Sequence, residues 1–207
     1  MLVGTDNRTL TLGAFGSVGG TCQDVATPFA TESPDTVALG IRLTEPAHHQ
    51  RGECPAQVTA ASIQLSRPLG NRALVDSVTG AALASFDEHR LLHPTRIPAG
   101  YRLLYTAPYG AGTSVGATQH WESPTEIGSL TLTQIDGPLT DVIKGMAHVD
   151  PHQGSPPLLV RGHPATEFTS PDAIAWTENG EAMLIDWYTP DPPPTTASVI
   201  AIADSSP

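Results

Sequence analysis

The chain has 207 residues, and its 20 prolines and 19 glycines exclude long helices and favour short strands joined by turns. It carries 21 acidic and 10 basic side chains, a formal net charge of -11, so it lacks the basic stripe that binding to nucleic acid or to anionic lipid requires. No apolar run approaches the ~20 residues of a membrane span.

Alternating polar and apolar residues predict strands in the first part of the chain. Residues 35–43 and 62–69 both show this pattern, in which apolar side chains such as Val37 and Leu39 recur at every second position. A period of two marks a strand with one buried face, and glycines and prolines provide the turns between such strands. We therefore expect an antiparallel β-sandwich-like unit over residues 1–88.

The two cysteines, Cys22 and Cys54, lie in loop-like sequence on either side of the strand predicted at residues 36–43. Neither belongs to a C-x-x-C pair, and their spacing builds no four-ligand zinc pattern. We interpret them as one disulfide, which would stabilise the fold by roughly 3–4 kcal/mol on the chain-entropy estimate and would place the protein outside the cytoplasm. The alternative is two unrelated thiols.

A boundary between two domains is predicted near residues 88–96, where prolines interrupt the chain. Strand patterns resume at residue 102. Near the end of the chain, Thr195 or Thr196 is a candidate helix N-cap, and apolar residues follow that would pack on a sheet. We therefore expect residues 89–207 to form an antiparallel sheet closed by a short C-terminal helix, in a protein that is mainly β.

The segment AIAWTENGEAMLIDW predicts a β-hairpin, because Asn179-Gly180 suits a two-residue type I′ turn. That turn places Trp176 opposite Met183 and leaves Asp186 on a smaller, mixed face. The other face carries the large side chains Ile174, Trp176, Met183, Ile185 and Trp187. We interpret the large face as sheet core, and the alternative is that its tryptophans, Met183 and Ile185 line a ligand site.

Residues 112–116, GTSVG, match the G-x-S-x-G pattern of the nucleophile elbow in α/β hydrolases. The elbow is a strand-to-helix turn, whereas the residues that follow here, ATQHWE, predict a strand. We therefore interpret the motif as a glycine-rich hairpin loop. The alternative function that the motif leaves open is a hydrolase that uses Ser114 as its nucleophile.

Histidines raise the question of a metal site, most clearly His148 and His152 with Asp150 between them. Pro151 argues against the helix that would bring both imidazoles to one face. The chain also has neither the phosphate-binding P-loop motif nor the glycine spacing of a dinucleotide site. We therefore expect no metal, no cofactor and no assignable catalytic residue.

Two stretches carry a resemblance to bacterial envelope proteins. LSRPLGNRALVDSVTG resembles a segment of uncharacterised actinobacterial exported proteins and lipoproteins, which carry one early and one later cysteine. The succession IPAGYRLLY, LTLTQ, LLVRGHPAT, IAWTENGEAMLIDW and VIAIADS resembles small β-rich extracytoplasmic domains of anti-sigma-like and sporulation-linked proteins, which look like the curved-sheet carriers LolA and RseB. The resemblance covers most of the chain and implies that the C-terminal sheet is curved.

The function that the resemblance implies is a non-catalytic extracytoplasmic binding or interaction module of a bacterial envelope protein, secreted or membrane-anchored. The expected ligand is a lipid or another apolar small molecule, and the expected protein partner is another envelope protein. Nucleic acid is not an expected partner, and any membrane attachment would use an anchor absent from this sequence. The alternatives are the Ser114 hydrolase and a purely structural domain.

Overall fold

The computed structural model describes residues 1–17, 25–44, 56–111, 114–123, 128–145, 158–169, 172–188 and 195–206. The chain is mainly β, as predicted, and it divides into two compact units, Met1–His89 and Arg90–Pro207. No helix in the described part of the chain is long and apolar enough to cross a membrane. Cys22, Cys54 and the metal candidates at 148–152 lie outside the described residues, so the disulfide stays a prediction.

The first unit is a β-sandwich of a four-stranded and a three-stranded sheet. Its strands are β1 (Leu2–Val3), β2 (Thr9–Ser17), β3 (Val25–Glu32), β4 (Thr36–Thr44), β5 (Ala56–Gln64), β6 (Ala73–Asp76) and β7 (Phe86–Asp87). The sheets have the orders β5-β2-β1-β7 and β3-β4-β6. Leu10 of β2 and Val37 of β4 are both fully buried in the core that the two sheets share.

Two pairings in this unit are parallel, β1 with β7 and β4 with β6, whereas the others are antiparallel. The antiparallel arrangement predicted for this unit is therefore wrong for these two pairings, because side-chain alternation is the same in both kinds of ladder and does not indicate strand direction. A short 3-10 helix, Glu88–Arg90, follows β7.

The second unit is built on a seven-stranded antiparallel sheet. Its elements are β8 (Arg102–Ala111), β9 (Ser114–Glu122), β10 (Ser129–Asp136), α1 (Leu139–Gly145), β11 (Leu158–Val160), β12 (His163–Thr169), β13 (Asp172–Glu178), β14 (Glu181–Tyr188) and α2 (Thr196–Ala203). The spatial order of the strands is β11-β12-β13-β14-β10-β9-β8. Strand β14 therefore lies in the middle of the sheet, where its residues are buried up to Ile185 and become partly exposed at Asp186 and exposed at Tyr188.

The β13–β14 hairpin has the predicted register. Trp176 pairs with Met183, and Glu178 pairs with Glu181 across the two-residue turn. Asn179 and Gly180 have φ values of 53° and 82°, the positive values that both central positions of a type I′ turn need. The prediction from Asn-Gly is therefore confirmed residue by residue.

One helix packs on each face of the sheet. Helix α2 begins after the N-cap Thr195, one of the two predicted caps, whose hydroxyl accepts a hydrogen bond from the Ser198 amide. On the opposite face, α1 packs through Val142, which is 1% exposed. The sequence did not predict α1, because a seven-residue helix has no lasting pattern of its own and depends on such tertiary contacts.

Candidate functional site

The four candidate ligand-lining residues lie together in a hydrophobic core. Trp176, Met183 and Ile185 are almost completely buried, and Trp187 is 8% exposed. Val199, Ile202 and Ala203 of helix α2 belong to the same buried cluster. The large face of the hairpin therefore meets a helix, and this contact favours the core interpretation over a ligand-lining role.

Ser114 lies at the start of β9, where it pairs with Ala111 at the end of the β8–β9 hairpin. Strand β9 continues to Glu122, as predicted, so no helix follows the serine. The Ser114 hydroxyl donates a hydrogen bond to Oδ2 of Asp141 at 2.7 Å. A serine nucleophile needs a base such as histidine beside it, and within the described residues no histidine hydrogen-bonds to this hydroxyl.

The other face of the seven-stranded sheet carries a continuous row of polar and aromatic side chains. The register places Tyr105 opposite His120, His120 opposite Thr131, and Thr131 opposite Asp186, on the adjacent strands β8, β9, β10 and β14. A register shift between Leu103 and Tyr105, a β-bulge, sets which residues of β8 face this side. We call Tyr105, His120, Thr131 and Asp186 the tyrosine–histidine row.

The tyrosine–histidine row lies between a covered and an exposed part of the sheet face. On one side, α1 covers Ile135 and Leu184, which are buried. On the other side, the side chain of Glu122 is 52% exposed and Tyr188 is 64% exposed. The row itself is half-buried, so it is held rigidly by the sheet while part of it remains in contact with solvent.

A chain of polar contacts joins Asp186 to Glu122. Asp186 shares a hydrogen bond with the side chain of Thr131, and Oγ1 of Thr131 lies 3.2 Å from Nδ1 of His120. Nε2 of His120 lies 3.3 Å from Oε1 of Glu122. Tyr105 stacks on the imidazole, with ring centroids 5.0 Å apart and planes inclined by 17°, which fixes the orientation of the ring.

One proton shared along this chain satisfies all three contacts. In one distribution His120 is an imidazolium that donates to Glu122 and to Thr131, and Thr131 donates to an ionised Asp186. In the other, Asp186 is protonated and donates to Thr131, which donates to a neutral His120. In both distributions, the role of each His120 nitrogen as donor or acceptor depends on the tautomer of the ring.

Asp186 differs from two other carboxylates of this unit in the residues that surround it. Burial is the main cause that raises the pKa of Asp186 to about 6, against the opposing effects of Thr131, His120 and its own backbone amide. Two other carboxylates of this unit that are buried or half-buried form ion pairs with arginine, Glu178 with Arg161 and Glu181 with Arg90. Among the described residues, no arginine or lysine forms an ion pair with Asp186.

Two tyrosines of β8 lie within the electrostatic reach of Asp186. Burial, and then the negative charge of Asp186, raise the pKa of Tyr109. The same two causes, together with Glu122, raise the pKa of Tyr105. Both tyrosines lie on the same face, four residues apart on one strand, and strands β9 and β10 separate them from Asp186.

The described part of the chain contains no group of three or more histidine, cysteine, aspartate and glutamate side chains that could hold a metal ion. Asp186, Thr131 and His120 alone do not offer the six or more oxygen ligands that calcium prefers, nor the three or four nitrogen, sulphur or carboxylate ligands of zinc.

Reasoning from the sequence identified Asp186 as a residue of the smaller hairpin face but did not identify the row. Its members come from four strands, and the strand order that joins them is a non-local feature. The pairing of β10 with β14 is the non-local step, because α1 and strands β11–β13 separate these two strands in the sequence. A useful signal was present in β14, MLIDWY, where a carboxylate interrupts an otherwise apolar strand.

The comparisons with known proteins supply no family assignment for this site: no protein-family model, no curated protein and no solved structure matches the chain.

Proposed function

We propose that the protein is a non-catalytic binding module whose contact surface is the tyrosine–histidine row. The observation that carries this proposal is a hydrogen-bonded row of aromatic and charged side chains, half exposed in the middle of a rigid sheet. Binding sites combine a few convergent polar groups with aromatic surface, and strands hold such groups more firmly than loops do. Perturbed carboxylates such as Asp186 are concentrated at functional sites.

The proposed place of action is outside the cytoplasm, within a bacterial envelope protein. The resemblance to exported proteins and lipoproteins supports this location, and so does the predicted Cys22–Cys54 disulfide. An intact mass measured without reductant should be two daltons below the mass of the reduced chain. Two alkylatable thiols in protein secreted from an oxidising compartment would contradict the location.

The face of the sheet that carries Trp176 and Trp187 is buried under helix α2. This burial favours a polar ligand on the other face over a carried lipid. A lipid at Trp176 and Trp187 would have to displace helix α2, whose residues Val199 and Ile202 are buried against that face. In the tyrosine–histidine row, by contrast, Tyr105 is 39% exposed, so a ligand can contact its ring without displacing a helix.

The test is a screen of small ligands against the isotope-labelled full chain, in which binding is detected as a change in amide chemical shifts. It should include sugars, amines, carboxylates and fatty acids. We expect binders to perturb β8, β9, β10 and β14 around the row, and Tyr105→Ala to weaken them. The matched control is Leu159→Ala, which removes an exposed apolar side chain (58% exposed) from the far edge of the same sheet.

Two outcomes would overturn this function. Shifts confined to α2 and to the indole of Trp187 would instead identify a carrier of apolar ligands. Equal loss of binding in Tyr105→Ala and Leu159→Ala would show that the row is not the contact surface.

A further inference from the structure

We propose that the outer face of the three-stranded sheet β3-β4-β6 is a docking surface for a partner protein that presents a carboxylate beside an aromatic or aliphatic side chain. This inference goes beyond the proposed function, because it concerns the first unit, whereas the tyrosine–histidine row belongs to the second. The outer face consists of the strand residues that alternate with the core residues: Val25, Thr27, Phe29 and Thr31 of β3, Thr36, Ala38, Gly40, Arg42 and Thr44 of β4, and Ala73 and Val75 of β6.

The outer face is exposed and largely apolar. Val25 is 59% exposed and Phe29 is 38% exposed, and Val75 of β6 lies opposite Ala38 of β4. The strand residues between them, such as Leu39, belong to the core on the other side of the sheet. Apolar side chains that lie next to one another on a surface, rather than singly, mark places where another molecule docks.

A glycine holds the ring of Phe29 in place. Phe29 pairs with Gly40 on β4, and a Cβ added to Gly40 would run into this ring. The ring therefore fills the space above the strand that any other residue at position 40 would need. An aromatic ring that is already fixed loses little conformational entropy when a partner covers it, so Phe29 is suited to be the anchor of an interface.

Arg42 supplies the charge next to this ring. Its Cζ atom lies 5.9 Å from the centroid of Phe29, and within the described residues it forms no ion pair. The nearby carboxylates of the same sheet have other partners. Glu32 pairs with Nη1 of Arg72 at 2.6 Å, and Asp76 accepts hydrogen bonds from backbone amides of the turn that follows β6. The Arg42 guanidinium is therefore available to a group from outside this part of the chain.

The charge of the outer face identifies its partner. The whole chain has a net charge of -11, yet the three strands contribute one cation and no carboxylate to this face. A second copy would offer Arg42 no carboxylate, because the two faces would be identical, and nucleic acid or anionic lipid requires several basic groups. A carboxylate matches one guanidinium in charge and in its two hydrogen bonds, and an apolar side chain beside it would cover Phe29.

The experiment is titration of the isotope-labelled full chain with 3-phenylpropionate, a probe that joins one carboxylate to one aromatic ring. We expect saturable binding at neutral pH, with amide shifts centred on β3 and β4. Arg42→Gln should weaken it by at least about tenfold, since a lost charged hydrogen bond typically exceeds a tenfold change in affinity. Arg8→Gln is the matched control, because it removes the same charge from an exposed residue outside the outer face, and it should leave the affinity unchanged.

Further titrations separate the contributions of charge, ring and source. Propionate, which has no ring, and 3-phenylpropanol, which has no charge, should each bind at least about tenfold more weakly than 3-phenylpropionate. Arg42→Glu should reverse the preference and bind 3-phenylpropylammonium instead. N-acetyl-phenylalanyl-aspartate amide should bind more tightly than 3-phenylpropionate if the source is a protein, whereas equal or weaker binding would indicate a small carboxylate and contradict the partner protein.

The remaining outcomes test the assignment of the site. If Arg8→Gln weakens binding as much as Arg42→Gln does, the probe is responding to net charge and the site is wrong. Tighter binding of phenyl phosphate would contradict the carboxylate. A dimer in sedimentation that Arg42→Glu dissociates would identify a second copy as the occupant and refute a separate partner. Ligand-induced shifts on β8, β9, β10 and β14, with none on β3 and β4 in 3-phenylpropionate, would refute this inference alone and leave the proposed function standing.

Discussion

Replacing Asp186 with asparagine should stabilise the protein at neutral pH. The pKa of Asp186 rises from 3.8 to about 6 on folding, so the folded state binds the proton more tightly than the unfolded state does. The resulting stability is fully present below pH 4 and is lost as the pH rises through about 6. A difference of 6 - 3.8, at about 1.36 kcal/mol per pKa unit, corresponds to ~3 kcal/mol.

The asparagine variant keeps the shape of the side chain but has no charge to bury. We expect Asp186→Asn and the original chain to have similar free energies of unfolding near pH 4, and the variant to be more stable by up to ~3 kcal/mol at pH 7.5. Urea unfolding at intervals between pH 4 and pH 8 measures this difference directly, and groups common to both proteins cancel from it.

The exposed Asp172→Asn substitution is the control and should show no comparable change with pH. A variant at Asp186 that is less stable than the original chain at pH 7.5 would refute the reasoning. So would a stability difference that stays constant from pH 4 to pH 8, because the burial of an unpaired charge could not then be its cause.

Three further predictions concern the framework of the site. Ile202→Ala should destabilise the second unit by about 2–5 kcal/mol in urea unfolding, because Ile202 packs helix α2 on the tryptophan face; an effect below about 0.5 kcal/mol would show that α2 does not cover that face. Gly180→Ala should destabilise it by about 1 kcal/mol, since its φ of 82° disfavours a side chain, whereas unchanged stability would contradict the type I′ turn. Reduction of the predicted Cys22–Cys54 disulfide should lower the free energy of unfolding by roughly 3–4 kcal/mol; a double Cys→Ser variant with unchanged stability would count against the bridge.

Local signals account for the parts of the fold that the sequence predicted. Asn179-Gly180 determines its own hairpin register because a two-residue turn has few alternatives. Thr195 is recognisable as a helix N-cap because a threonine hydroxyl can accept a hydrogen bond from a backbone N–H that has no other acceptor in the first turn of the helix. The alternation in residues 35–43 likewise predicts β4, although Leu43, the last apolar residue of the pattern, is exposed rather than buried.

Non-local pairing accounts for what the sequence did not predict. The tyrosine–histidine row exists because β14 inserts between β13 and β10, and no local motif encodes that order. The bulge at Leu103–Tyr105 brings Tyr105 to the face of His120, and a bulge leaves no clear mark in an alternating sequence. Helix α1, which covers the rest of this face, is too short to be predicted without the sheet on which it packs.

The most direct test of the account is a carboxyl carbon NMR titration of Asp186 in the full chain. We expect Asp186 to titrate with a pKa of about 6, because burial in the sheet disfavours the ionised carboxylate. A titration near 3.8 would contradict the burial of this carboxylate in the tyrosine–histidine row.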